Sequence, residues 1–138
     1  MAAYLEHANI TVKNLDNTVR FLTLACPNFK VRGQGRGNDG QRWVHIGTDQ
    51  AYLAVNEDVR VNEARTMYAN SGLNHVGIVV DDAKVVRKKL TENGFREGFV
   101  PPKHPHRERI YFFDQDGLEW EFIEYYTDDP AKRNDYAL

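Results

Sequence analysis

The chain has 138 residues, 41% hydrophobic and 28% charged, with a formal net charge of −2; that is the make-up of one globular domain, or of two small units sharing a core. This charge gives no electrostatic case for nucleic acid or an anionic membrane as a partner, and no apolar run approaches the roughly 20 residues of a membrane span. No basic segment followed by an apolar one opens the sequence, and the single cysteine, Cys26, has no partner for an internal disulfide; a reducing cytoplasm fits these features.

The first predicted element is a strand over residues 5–12. It alternates, with Ala8, Ile10 and Val12 on an apolar face and Leu5, His7, Asn9 and Thr11 on the other. A helix is expected to start between Asn14 and Asp16, to carry Leu15, Val19 and Leu22 as its stripe, and to stop at Cys26-Pro27. Strands are expected near 29–32, 42–46 and 51–56. Between the first two, Gly33 to Gly37 read as a flexible hairpin loop with Asp39-Gly40 as turn residues. Residues 57–72 read as a connection.

Residues 73–80 then repeat residues 5–12. Leucine, histidine, isoleucine and valine recur in register, so that His75 follows His7 by 68 positions (75 − 7). A second helix follows, capped by Asp81 or Asp82, with Ala83, Val86 and Leu90 as its stripe and Gly94 as its stop. Its basic residues Lys84, Arg87, Lys88 and Lys89 read as a solvated face. Further strands are expected near 96–100, 109–113 and 118–125, with Lys103 to Arg107 a polar surface loop and 127–138 a polar, loosely held tail. The whole is an α+β chain of two β-α-β-β-β modules, 4–56 and 73–126.

Chemistry enters through the last strand. Trp120 and Phe122 share the face that should pack on a helix, while Glu119, Glu121 and Ile123 point to the opposite side, the side assigned to His7 and His75 in their own strands. A carboxylate on the inner face of a sheet is costly unless it is paired or bound to metal. Two imidazoles and one carboxylate would bind a divalent cation with open positions, so that a substrate oxygen could coordinate directly. Glu124 reads as surface charge, and Cys26 as a small buried hydrophobe.

The register of His7, His75 and the run Gly117-Leu118-Glu119-Trp120-Glu121 resembles the vicinal oxygen chelate superfamily, which includes glyoxalase I, extradiol dioxygenases, and the fosfomycin and bleomycin resistance proteins. The resemblance covers residues 4 to about 126. It implies cupped, partly open mixed sheets with helices outside, and a metal held by His7, His75 and Glu121. The fourth ligand of glyoxalase I would fall 67 positions before Glu121 (121 − 54), on Ala54, which cannot ligate; three protein ligands are implied. The resemblance also implies one divalent ion (Mn, Fe, Ni or Zn), a small-molecule substrate or drug, and a homodimer in which His7 could come from one subunit and His75 with Glu121 from the other. The activity expected is a glyoxalase-like lyase or isomerase, or a fosfomycin-resistance-like transferase. The alternatives are a ligand-sequestering protein of the bleomycin-resistance kind and an Fe-dependent extradiol dioxygenase. Tyr111 is the candidate donor to a substrate oxyanion, with Arg109, Asn9 and Glu119 as further substrate contacts.

Overall fold

A computed structural model describes residues 2–60, 66–69 and 73–137. The chain divides into two compact units, Met1–Ala64 and Arg65–Leu138. The expected connection 57–72 lies partly outside the described residues. Among them, no helix is long and apolar enough to cross a membrane.

In the N-terminal unit, β1 (His7–Val12), α1 (Leu15–Ala25), β2 (Lys30–Arg36), β3 (Arg42–Gly47) and β4 (Tyr52–Glu57) follow in order. The sheet runs β1-β4-β3-β2. Its first pair is parallel, with His7 opposite Tyr52 and Asn9 opposite Ala54; the other pairs are antiparallel. The Asn14 side chain caps α1 by accepting from the Asn17 N–H. Leu15, Thr18, Phe21, Leu22 and Ala25 form the buried stripe, packing with Val44, Ile46 and Val55 of the sheet, all fully buried.

The C-terminal unit repeats this plan with β5 (His75–Val79), α2 (Ala83–Glu92), β6 (Arg96–Glu97), β7 (Arg107–Phe113) and β8 (Glu119–Tyr125). Its sheet runs β5-β8-β7-β6, again with a parallel first pair. Asp82 caps α2, and Gly94 follows the helix at φ +84, a left-handed conformation that glycine takes without strain. Ala83, Val86 and Leu90 pack inward, while Trp120, Phe122, Ile110 and Phe112 complete the core.

One contact recurs in both units. The Glu57 carboxylate, at the end of β4, accepts from the first helical N–H of α1, at Leu15, at 2.8 Å. Glu124, near the end of β8, does the same for α2 at Ala83, at 2.9 Å. Each carboxylate satisfies an orphan amide and faces the positive end of a helix. Glu124 is therefore a structural tie and not a surface charge.

Several expectations are corrected. Residues 33–36 belong to β2, because the Trp43 ring of β3 lies over Gly33 and Gly35; a Cβ on Gly35 would come within 3.0 Å of it. Asp39-Gly40 do make the turn, with Gly40 at φ +79. The expected strand 96–100 shrinks to two residues. Gly98 still donates to the Tyr111 carbonyl, but Pro101 and Pro102 have no N–H to continue a ladder. Arg87 is ion-paired with Glu97 and Glu108 instead of standing in solvent.

The tail is held. Asp129 caps a third helix, α3 (Pro130–Arg133). The buried Arg107 donates to the Arg133 carbonyl at 2.8 Å. His104, also buried, accepts from the His106 N–H at Nδ1, which leaves Nε2 to donate to the Asp135 carbonyl. Residues 103–107 thus contain the clasp for the tail and are not simply a polar surface loop.

Candidate functional site

The strand parity expected of β8 is present. Trp120 and Phe122 are buried beneath α2, and Glu119 and Glu121 stand on the other face. Asp114 helps to fix this parity. Its carboxylate accepts from the Asp116 and Leu118 N–H groups across the turn and from Trp120 Nε1 at 3.0 Å. Gly117, at φ +81, completes the reversal. Burial pushes the Asp114 carboxyl upward from the usual carboxylate range, opposed by the donors from Trp120 and the turn.

The register of β5 and β8 sets His75 opposite Glu119, and Gly77 opposite Glu121. His75 Nε2 lies 3.1 Å from Glu121 Oε2. Gly77 leaves this carboxylate room, since a Cβ there would sit 3.6 Å from Oε2. From β7, Tyr111 stands opposite Glu121, and its hydroxyl donates to Oε1 at 2.7 Å. Burial, then the bond to Glu121, raises the Tyr111 pKa, so the hydroxyl stays protonated and serves as a donor at neutral pH. The His75 and Tyr111 rings meet edge to face at 5.7 Å.

Tyr68, in the turn before β5, closes the other side. Its hydroxyl lies 2.5 Å from Glu119 Oε1 and 2.9 Å from His75 Nδ1. The bond to Glu119 drives its pKa up to about 12. Its backbone is left-handed, at φ 65, and its N–H is held by the Asn74 side chain at 2.7 Å. Tyr68, His75, Phe99, Tyr111 and Glu119 line a cavity of about 340 Å³. Sequence reasoning missed Tyr68 and Phe99. Tyr68 lies in a stretch without periodicity, and Phe99 beyond the last pairing of β6.

The predicted residues thus separate. His75, Glu119, Glu121 and Tyr111 come together in the C-terminal unit, and Arg109 lies two residues from Tyr111 on the same strand face. His7 and Asn9 belong to the N-terminal unit. There His7 stacks on Tyr52 at 4.9 Å, Tyr52 meets His45 at 4.8 Å, and His45 meets Trp43 at 5.0 Å. The Arg32 guanidinium lies 4.2 Å from the centre of the Tyr52 ring. Asn9 accepts from the Asn56 amide at 2.7 Å. Ala54 stands opposite His45 and contributes no ligand.

Two donors each about 2.1 Å from one ion and at right angles to it lie about 3 Å apart. The His75–Glu121 pair has that separation, and Tyr111 orients the second carboxylate oxygen. The pair suits two adjacent positions of a divalent ion. Among the described residues, no group of three His, Cys, Asp or Glu side chains is arranged to hold a metal.

Residues 4–122 match the family model described as Glyoxalase/Bleomycin resistance protein/Dioxygenase superfamily. Among solved structures, a glyoxylase/bleomycin resistance protein/dioxygenase domain from Frankia sp. EAN1pec is 20% identical, with a TM-score of 0.73, over 91% of this chain and 99% of that one. Glyoxalase I from Leishmania major is 18% identical, with a TM-score of 0.71, over 89% and 87%. The fosfomycin resistance protein FosX from Listeria monocytogenes, complexed with Mn(II) and sulfate, is 16% identical, with a TM-score of 0.70, over 96% and 98%. At these identities the likeness is one of fold. No curated protein matches the chain.

Proposed function

Because the chain belongs to the Glyoxalase/Bleomycin resistance protein/Dioxygenase superfamily, we propose that it is a divalent-metal-dependent enzyme, a lyase, isomerase or transferase, whose small-molecule substrate chelates the metal through oxygen. The observation that carries this reading is the convergence of His75 Nε2 and Glu121 Oε2 at 3.1 Å beside a cavity. His7, on β1, is the third ligand in this reading, given by the same chain or by the second copy of a homodimer. A divalent ion at these side chains would supply Lewis-acid activation of a bound oxygen; Mn is the first to try, given the Listeria FosX complex.

The chain's own residues have separate tasks. Tyr111 keeps its proton and is not a base; that one proton is given to Glu121 Oε1, which orients the carboxylate, and it serves a developing oxyanion only by exchanging that bond. Phe99 and Tyr111, with rings 5.9 Å apart, give the cavity an apolar wall. Arg109 supplies a cation on the Tyr111 face for an anionic substrate group. The Glu119 carboxylate is engaged by Tyr68 and supports the site more than it contacts substrate.

A second reading, sequestration of a planar drug or metabolite, draws on the stacked rings of His7, Tyr52, His45 and Trp43. Metal content after purification without chelator separates the two. The enzyme reading expects about one divalent ion per chain, lost in His75→Ala, and turnover that collapses in Glu121→Ala. Absence of uptake of Mn, Fe, Ni or Zn by the wild type would sink it. Ligand binding that survives Glu121→Ala without turnover would favour sequestration.

A further inference from the structure

The hydrogen bonds around His75 leave few arrangements of protons. Glu119, as a carboxylate, can only accept, so the Tyr68 hydroxyl spends its one proton on Glu119 Oε1. The Tyr68 oxygen can then only accept from His75 Nδ1, 2.9 Å away. A second acceptor, the same Glu119 oxygen, lies 3.4 Å from Nδ1. Nδ1 therefore carries a proton whenever this bond is made; in the doubly protonated ring Nε2 also donates, to Glu121, and in the neutral ring Nε2 is left with a bare lone pair. That lone pair faces Glu121 Oε2, whose partner oxygen is already taken by Tyr111. Two acceptor atoms 3.1 Å apart repel each other unless a proton or a divalent ion lies between them.

We infer that Tyr68 is a positioning residue: bridging Glu119 and His75, it holds the imidazole with its proton on Nδ1 and its Nε2 lone pair turned toward Glu121, ready for a divalent ion. The chain of contacts Glu119–Tyr68–His75 acts as the outer support of one ligand, as Tyr111 does for the other. Asn74, adjacent to His75, fixes the Tyr68 backbone in its left-handed turn, so the support and the ligand it serves are anchored to one another. With no hydroxyl at this position, Nδ1 keeps only the Glu119 oxygen 3.4 Å away, so the ring is held less firmly in one tautomer and rotamer and the ion would have to select among several states.

The purpose of this device rests on the metal reading, but its geometry can be tested apart from it. Histidine-labelled protein, stripped of metal and held at a pH found by titrating the His75 signals themselves to leave one proton on the ring, is read by two-bond proton–nitrogen correlations. The His75 signal is assigned by its loss in His75→Asn. The expected result is His75 with its proton on Nδ1 in the wild type and a mixture of tautomers in Tyr68→Phe, which keeps the ring. The same proteins are titrated with Mn(II), and Tyr68→Phe is expected to bind about 10- to 100-fold more weakly. A wild-type His75 with its proton on Nε2, or an unchanged tautomer in Tyr68→Phe, overturns the inference. Failure of the wild type to bind Mn, Fe, Ni or Zn sinks the metal reading instead, and the tautomer result then decides the role of Tyr68 alone.

Discussion

In the N-terminal unit, the strand position opposite His7 holds Tyr52, and the one two residues further holds Ala54. In the C-terminal unit the same two places, opposite His75 and Gly77, hold Glu119 and Glu121. Where one sheet presents a row of rings, the other presents two carboxylates, each accepting from a tyrosine hydroxyl. The reverse faces differ much less. Each has an apolar layer beneath a helix, a capping Asn or Asp, and a glutamate tied to the first amide of that helix. The helix-facing parity carries the fold, and the opposite parity is left to specialise. Ionisable groups there are tolerated because they meet partners and not the core.

The comparison is broken most forcefully at the layer under the helices. Trp120→Ala should cost about 3–5 kcal/mol, because it opens a large void and also strips Asp114 of its indole donor. Leu53→Ala, at the matching place in β4, should cost less, about 2–3 kcal/mol, since no polar partner is orphaned. Denaturant unfolding of both variants measures this; equal losses would mean that the Asp114 bond adds nothing. The helix ties give a smaller effect. Glu57→Ala and Glu124→Ala should each destabilise by about 0.5–2 kcal/mol, by similar amounts. A loss confined to one of them, in the same unfolding assay, would show that the repeat is geometric only. The smallest effect concerns Cys26, which has no cysteine counterpart in the other unit. Burial penalises the thiolate and raises the pKa to about 12, so at neutral pH the folded protein should react with a thiol reagent far more slowly than the denatured chain. Rapid alkylation without unfolding would contradict that burial.

Much of this was legible because strand parity is a simple code. The alternation around His7, His75 and Trp120 assigned their faces, and Asn14, Asp82 and Gly94 marked the helix ends. Parity also carried a signal that was passed over, because Glu124 falls on the same side as Trp120 and Phe122. What escaped depended on contacts across the sequence. Gly33 and Gly35 look like loop residues until Trp43 is laid across them. His104 and Arg107 look solvated until the tail folds back onto them. Tyr68 reaches His75 only through a left-handed turn that no local pattern announces. His75, Glu121 and Tyr111 were named from the sequence, but Tyr68, whose hydroxyl meets His75 and Glu119, was not.

The parallel pairing of the first strand with the last in each sheet has a consequence for the order of assembly. Antiparallel neighbours such as β7 and β8 can zip from a short turn, whereas β5 must wait for a strand some forty positions later. As the chain leaves the ribosome, His75 emerges well before Glu121, and the two meet only when this long-range pairing closes. The His75–Glu121 contact should therefore be among the last native contacts to form, and, in the metal reading proposed above, a refolding experiment should recover helix signal ahead of metal uptake.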